Sequence, residues 1–145
     1  MSAPRLAVRA VLIHNERLLL VIAWRRGSDL LCAPGGGVEA GSALPDNLQR
    51  EVYEETGLTI TVGPPCLVNE FHDPASGYHQ VEVFFRCTSD TDKLPDVWRD
   101  PEGVVQRRRW ATQAEMADLR VKPDSLARVA WQRGFGYDPL EVIVR

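Results

Sequence analysis

Apolar residues near the start of the chain follow the pattern of two adjacent strands. Residues 6–14 are rich in valine, leucine and isoleucine, and residues 18–24 form a second apolar run. Asn15 and Glu16 between them suit a tight turn, so we expect a β-hairpin. Five consecutive positions, 18–22, are apolar, which predicts a strand that is covered on both faces.

The segment 43–56 has the pattern of an amphipathic helix. Ser42 is suited to the N-cap, and Pro45 is tolerated in the first turn, where backbone N–H groups lack helical partners. Gly57 is well placed to end the helix in a left-handed conformation. Before this helix, the run Pro34-Gly35-Gly36-Gly37 predicts a turn or loop.

The rest of the chain alternates between short strands and helices. We predict strands at residues 30–33, 58–62, 66–72, 78–87, 104–110 and 140–144, and helices at 112–119 and 123–133. Thr112 and Glu115 have the spacing of a capping box at the start of the first of these helices. This alternation predicts an α/β layered domain with a mixed β-sheet.

Length and composition are those of one ordinary globular domain, which we expect to span residues 1–145. The net charge of −3 provides no general attraction to nucleic acid or to an anionic membrane. The longest apolar run is too short to span a bilayer. Three widely spaced cysteines and no visible signal peptide favour a reducing, cytoplasmic location.

Three carboxylates lie close together on the predicted helix. At about 100° per residue, Glu51, Glu54 and Glu55 fall within an arc of roughly 100°. The apolar stripe that includes Leu48 and Val52 overlaps the edge of this arc, so part of the acidic cluster should face the protein. Crowded, poorly hydrated carboxylates need protons or a cation. A hard divalent ion with oxygen ligands would satisfy them.

The segment from Gly36 to Leu58 resembles the Nudix box. The family pattern is Gly, five residues, Glu, seven residues, and then Arg-Glu-apolar-x-Glu-Glu-x-Gly-apolar. The chain supplies Gly36 and the whole run Arg50-Glu51-Val52-Tyr53-Glu54-Glu55-Thr56-Gly57-Leu58 in register. One position departs from the pattern, because Ser42 stands where the family has the isolated glutamate.

The resemblance implies an α/β/α sandwich in which the box forms a loop–helix–loop that holds divalent metal. It assigns Glu51, Glu54 and Glu55 as ligands of Mg²⁺, with Mn²⁺ as an alternative ion. Arg50 precedes Glu54 by one turn and could brace it, which adds Arg50 to Glu51 and Glu54 as catalytic candidates. Gly35 and Gly36 would let the backbone approach a diphosphate closely.

The general base is open among three carboxylates. Glu51 or Glu54 in the box, or Glu102 in a long acidic loop, could accept the proton of the attacking water. Ser42 has two interpretations. In the first, the family glutamate is dispensable here and Ser42 caps the helix. In the second, the absence of that glutamate reduces hydrolysis. Glu39, in the same loop, could supply a carboxylate in its place.

Several residues outside the box are candidates for substrate contacts. Arg25 and Arg26 follow a predicted strand near the glycine run, where they could bind phosphate or sugar. The other candidates are two carboxylates on predicted strands and two aromatic residues suited to stacking on a base or to core packing: Glu70, Glu82, Phe71 and Trp98.

These features predict a Nudix-type, metal-dependent pyrophosphohydrolase that cleaves a diphosphate linkage. The substrate would be a small nucleotide or nucleotide conjugate: a nucleoside triphosphate, an oxidised nucleotide, ADP-ribose or a nucleotide sugar. The alternative is a regulatory module that binds a nucleotide with little or no hydrolysis. The acidic net charge disfavours an RNA substrate. The resemblance allows a homodimer, which the sequence does not determine.

Overall fold

The protein is described here by a computed structural model that covers residues 3–22, 28–95 and 107–143. The strands are β1 (Arg5–His14), β2 (Arg17–Ile22), β3 (Gly35–Gly37), β4 (Thr61–Asp73), β5 (Tyr78–Thr88), β6 (Arg107–Thr112), β7 (Gly136–Tyr137) and β8 (Glu141–Val142). The helices are α1 (Leu44–Thr56) and α2 (Leu126–Trp131), with a short 3₁₀ helix at Glu115–Asp118.

Within these residues the eight strands form one mixed sheet in the order β6-β2-β1-β5-β4-β7. β1 runs parallel to β5, whereas the β1–β2, β2–β6 and β4–β5 pairs are antiparallel. β3 pairs with the first half of β1, and β2 pairs with its end, so the two strands share one edge of β1. The predicted mixed sheet is confirmed.

Helices cover both faces of the sheet. Leu48 and Val52 of α1 pack with Leu19 of β2, whereas Leu18 and Leu20 join α2 in a second apolar cluster. Residues 18–22 are all buried, which confirms that β2 is covered on both sides. The architecture is therefore an α/β/α sandwich. No helix of the described residues is long and apolar enough to cross a membrane.

Local geometry confirms some predicted signals and contradicts others. Asn15 and Glu16 have φ values of 51° and 62°, as a tight hairpin turn between β1 and β2 requires. Gly57 ends α1 with φ 79°, and its N–H donates to the Tyr53 carbonyl. Ser42, however, does not cap α1. The cap residue is Ala43, which makes no side-chain capping hydrogen bond.

Three predictions of local structure were wrong. Residues 30–33 form isolated bridges rather than a strand, while Gly35–Gly37, expected to be a loop, pairs with β1. β4 also continues through Gly63-Pro64-Pro65, where the pairing with β5 shifts register on both sides of Pro65. This irregularity accommodates prolines, which cannot donate to a regular ladder.

Candidate active site

The helix α1 carries its glutamates at the boundary between core and solvent. Glu51 and Glu55 lie one turn apart beside Val52 and are only 8% and 7% exposed. Glu54 is less deeply placed, with 27% of its side chain exposed. The expected partly buried acidic cluster is therefore present, because the carboxylates share the face of α1 that borders its apolar stripe.

Arg50 binds several of the surrounding oxygens. Its Nη1 lies 3.1 Å from Oε1 of Glu51 and 3.6 Å from Oε2 of Glu54, and its Nη2 donates to Oδ1 of Asn47 over 3.0 Å. Burial by itself would lower the Arg50 pKa, but the charges of Glu51, Glu39 and Glu54 raise it above its ordinary value. Arg50 thus remains a fixed positive charge that orients two box carboxylates.

Asn47 holds the loop that precedes α1, a role that the sequence did not reveal. This residue is 1% exposed. Its Nδ2 donates to the Ser42 and Ala43 carbonyls, and its Oδ1 accepts the Glu39 N–H. The Asn47 side chain therefore fixes the loop before α1, which is the role that we expected Ser42 to have as the helix cap. Ser42 itself is exposed.

The glycines of β3 bring backbone directly against the glutamates. The Gly35 N–H donates to Oε2 of Glu55 over 3.2 Å. A Cβ added to Gly36 would lie 2.6 Å from the carboxyl carbon of Glu51. Only a residue without a side chain permits this approach. The backbone of β3 is therefore in direct contact with the side chains of Glu51 and Glu55.

The donor chemistry fits a hard divalent cation, because the group offers several carboxylate oxygens, which are the ligands that such ions prefer. Their present arrangement is not that of a formed metal site. Within residues 3–22, 28–95 and 107–143, no three His, Cys, Asp or Glu side chains converge as metal ligands. Arg50 contacts Glu51 and Glu54, and Glu55 accepts from Gly35.

The other predicted site residues either lie away from the α1 glutamates or fall outside the described residues. Arg25, Arg26, Trp98 and Glu102 fall outside the described residues. Glu70 accepts a hydrogen bond from the Tyr137 hydroxyl and lies 3.1 Å from Nε2 of His79, in contacts separate from the box.

Glu82 belongs to a buried polar network that crosses three strands. Its Oε2 accepts from Nε of Arg9 over 2.6 Å and from Nε2 of Gln80 over 3.0 Å, and its Oε1 accepts from Nδ2 of Asn69 over 3.3 Å. Burial by itself would lower the Arg9 pKa, but neighbouring acidic groups, Glu82 first among them, together raise it above its ordinary value. The sequence concealed this network because Arg9 and Glu82 are 73 residues apart.

A cavity of about 40 Å³ adjoins the network. Its polar and charged lining residues are Arg9, Asn69, Glu82, Lys122 and Glu141, while Leu30, Cys32, Phe71 and Val142 contribute to the rest of its lining. Burial raises the pKa of the Cys32 thiol to about 12, so this group remains a neutral thiol at physiological pH. Its lining therefore combines aromatic and aliphatic walls with charged and polar groups.

Comparison with known proteins agrees with the box and the fold. A family model described as the NUDIX domain matches residues 3–132. Mouse diphosphoinositol polyphosphate phosphohydrolase 3-alpha is 30% identical over 97 residues, covering 67% of this chain and 56% of that protein. The putative ADP-ribose pyrophosphatase YjhB of Bacillus subtilis is 27% identical, covering 59% of this chain and 41% of that protein.

Solved structures share the fold at low sequence identity. A NUDIX hydrolase from Nitrosomonas europaea superimposes with a TM-score of 0.72 at 22% identity, covering 88% of this chain and 86% of the other. A MutT protein from Bacillus halodurans gives 0.70 at 21% identity, with 93% and 91% covered. The chain spans about half the length of the curated relatives it matches.

Proposed function

Since this chain belongs to the NUDIX family, we propose that it is a divalent-metal-dependent hydrolase of a diphosphate linkage. Its substrate would be a nucleoside diphosphate joined to a further group: a nucleoside triphosphate, an oxidised nucleotide, ADP-ribose or a nucleotide sugar. The family is established by the match over residues 3–132. The reaction and the substrate class are the proposal.

One observation carries the proposal. Glu51 is held against Gly36 on one side and by Arg50 on the other, which fixes a buried carboxylate beside the backbone of β3. Keeping a carboxylate charged in such a place is costly without positive charge. Because the carboxylate itself fills the space of a Cβ at position 36, the glycine lets this charged group lie close to β3, where a cation could neutralise it.

Glu51, Glu54 and Glu55 would hold Mg²⁺, or Mn²⁺ in its place. The bound ion would neutralise phosphate oxygens and favour attack by water at phosphorus. Arg50 orients Glu51 and Glu54, and the Gly35 N–H orients Glu55. The proton of the attacking water passes to Glu51, Glu54 or Glu102. The first two are favoured because they belong to the helix that carries the other site groups.

The names of the relatives are consistent with this reaction class. One is called a diphosphoinositol polyphosphate phosphohydrolase and another a putative ADP-ribose pyrophosphatase. Both names denote cleavage of linked phosphates. We infer that the shared chemistry is a phosphoanhydride bond and that the organic group differs between members. A small-molecule substrate in the cytoplasm remains our prediction, and the family resemblance allows a homodimer.

A substrate panel tests the proposal. Purified protein would be incubated with ATP, 8-oxo-dGTP, ADP-ribose and UDP-glucose in Mg²⁺, in Mn²⁺ and in EDTA, and products would be separated by ion-exchange chromatography. We expect metal-dependent cleavage between phosphates of at least one compound. Absence of cleavage throughout, with binding of one compound retained, would contradict the enzyme and favour the regulatory module. Ser42 at the family glutamate position is the observation that keeps this second function in view.

A further inference from the structure

The side-chain amide of Asn47 uses its full hydrogen-bonding capacity inside the protein, where the residue is 1% exposed. Its Nδ2 donates to the carbonyls of Ser42 and Ala43 over 3.0 and 2.8 Å. Its Oδ1 accepts from the Glu39 N–H over 2.9 Å and from Nη2 of Arg50 over 3.0 Å. Reversing the amide would set its NH₂ group against two donors and its oxygen against two carbonyls. The network therefore permits one orientation of the amide.

Asn47 determines which side of the Arg50 guanidinium faces the glutamates. Nη2 lies 3.0 Å from Oδ1 of Asn47 and 3.7 Å from Oε1 of Glu39, on the side of the loop that precedes α1. Nη1 lies 3.1 Å from Oε1 of Glu51 and 3.6 Å from Oε2 of Glu54. The guanidinium is thus divided, with one nitrogen turned to the loop and the other to the box carboxylates.

This division limits how strongly Arg50 pairs with the glutamates. A guanidinium that presents two N–H groups to one carboxylate forms a bidentate pair, which is stronger than a contact through one nitrogen. Here the 3.1 Å contact with Glu51 and the 3.6 Å contact with Glu54 both involve Nη1. A divalent cation that binds these carboxylates has to compete with Arg50 for their oxygens. An acceptor that holds Nη2 on the loop side therefore favours the cation.

We propose that Asn47 is a positioning residue that limits the pairing of Arg50 with Glu51 and Glu54 and thereby sets the affinity of the site for its divalent cation. The inference rests on the proposed function, which supplies the cation. Asn47 acts through Arg50 and contacts neither the cation nor the substrate. Without the Asn47 oxygen, Nη2 turns from the loop to the carboxylates and completes a bidentate pair that the cation must break.

Mn²⁺ binding to the substrate-free protein tests this proposal, with the free ion measured by electron paramagnetic resonance. Asn47→Ala should weaken Mn²⁺ binding about five- to tenfold. Gln49→Ala is the matched control, because it also removes an amide of α1, one that donates to the Ile60 carbonyl. Gln49 lies about 200° around the helix from Asn47, so this variant should bind Mn²⁺ like the unaltered protein. Equal affinities for the two variants would overturn the proposal.

A double-mutant cycle with Arg50→Ala separates an effect through Arg50 from a loosened loop. In the Arg50→Ala background, Asn47→Ala should leave the Mn²⁺ affinity unchanged, because the guanidinium that Asn47 restrains is gone. A loosened loop would instead lower the affinity equally in both backgrounds, and that result would refute the proposal.

Asn47→Asp provides a second variant in case Asn47→Ala does not fold. The aspartate keeps an oxygen for Arg50 and Glu39 but loses the N–H groups that bind the loop carbonyls. It should therefore lower the melting temperature while keeping the Mn²⁺ affinity. Weakened Mn²⁺ binding by folded Asn47→Asp would assign the effect to the loop and overturn the role of Arg50.

Metal-free crystal structures keep this proposal distinct from the proposed function. In Asn47→Ala we expect Nη2 of Arg50 within hydrogen-bond distance of a carboxylate oxygen of Glu51 or Glu54, and in Gln49→Ala we expect Arg50 in its original position. An Arg50 that keeps its position in Asn47→Ala would overturn the proposal. Failure of the unaltered protein to bind Mn²⁺ would instead contradict the metal-dependent hydrolase.

Discussion

Gly36 and Glu51 are in direct contact across the interface between β3 and α1, with the space for a Cβ at position 36 taken by the Glu51 carboxylate. This contact determines where the carboxylate can lie. It also explains why position 36 is a glycine, a residue with low intrinsic preference for strands. The pairing with β1 and the position of Glu51 outweigh that preference.

Gly36→Ala should reduce turnover more than stability. The added methyl group would displace the far end of the Glu51 side chain, which can move without breaking the backbone. A shift of about 1 Å in a catalytic group can cost roughly 10²-fold in rate. We expect a loss of that order in kcat, with a melting temperature close to that of the unaltered protein. Gly136→Ala is the control, since its Cβ would make an ordinary 3.5 Å contact with Leu67.

Gly35→Ala should instead destabilise the fold. Its Cβ would lie 2.9 Å from the Cα of Arg9 and from the carbonyl carbon of Val8, both of which are backbone atoms of β1. Such atoms cannot move without disturbing the sheet, so we expect a loss of more than about 2 kcal/mol in the free energy of unfolding. Urea denaturation measures this. A stability equal to that of Gly36→Ala would contradict the difference between the two positions.

Two residues that the sequence predicts to be helix caps should behave differently, although the short 3₁₀ helix at Glu115–Asp118 has Ala114 at its N-cap position. Ser42→Ala should change the free energy of unfolding by less than about 0.5 kcal/mol, because Ser42 does not cap α1. Thr112→Ala should cost about 1 kcal/mol, because Thr112 and Glu115 exchange hydrogen bonds of 2.8 and 3.2 Å. Thermal unfolding of both variants is the measurement. A larger loss at Ser42 would show that α1 is capped in another way.

The pair Tyr137–Glu70 should contribute stability that depends on pH. The hydrogen bond from Tyr137 and the interactions with His79 lower the Glu70 pKa below its ordinary value of 4.5. A lowered folded-state pKa gives stability that is present above pH 4.5 and is lost as the pH falls through the folded pKa. Tyr137→Phe should therefore lower the melting temperature at pH 6 and have a progressively smaller effect below pH 4.5. An effect that is constant down to pH 3 would exclude this linkage.

The sequence predicted the elements that carry strong local signals. The hairpin turn at Asn15 and Glu16, the helix ended by Gly57 and the two-sided burial of β2 all depend on neighbouring residues. The sequence also predicted that Glu51 and Glu55 share one partly buried face of the helix, because helical spacing alone determines that arrangement.

What the sequence missed depends on contacts between distant segments. β3 is a strand because β1 pairs with it, and β4 continues through Pro65 because β5 tolerates a shift in register. The Arg9–Glu82–Asn69 network joins three strands that only the folded sheet brings together. No local pattern distinguishes such polar residues from others on a solvent-facing strand.

The central claim is that the α1 carboxylates support metal-dependent cleavage of a diphosphate bond. Its most direct test is the hydrolysis rate of Glu54→Gln on the best substrate of the panel, measured over a Mg²⁺ titration alongside Glu16→Gln. Glu16 lies in the turn between β1 and β2, so its substitution controls for the loss of one charge. We predict at least about a 10²-fold loss for Glu54→Gln with an unchanged circular dichroism spectrum, and full activity for Glu16→Gln. Equal rates for the two variants would contradict the account.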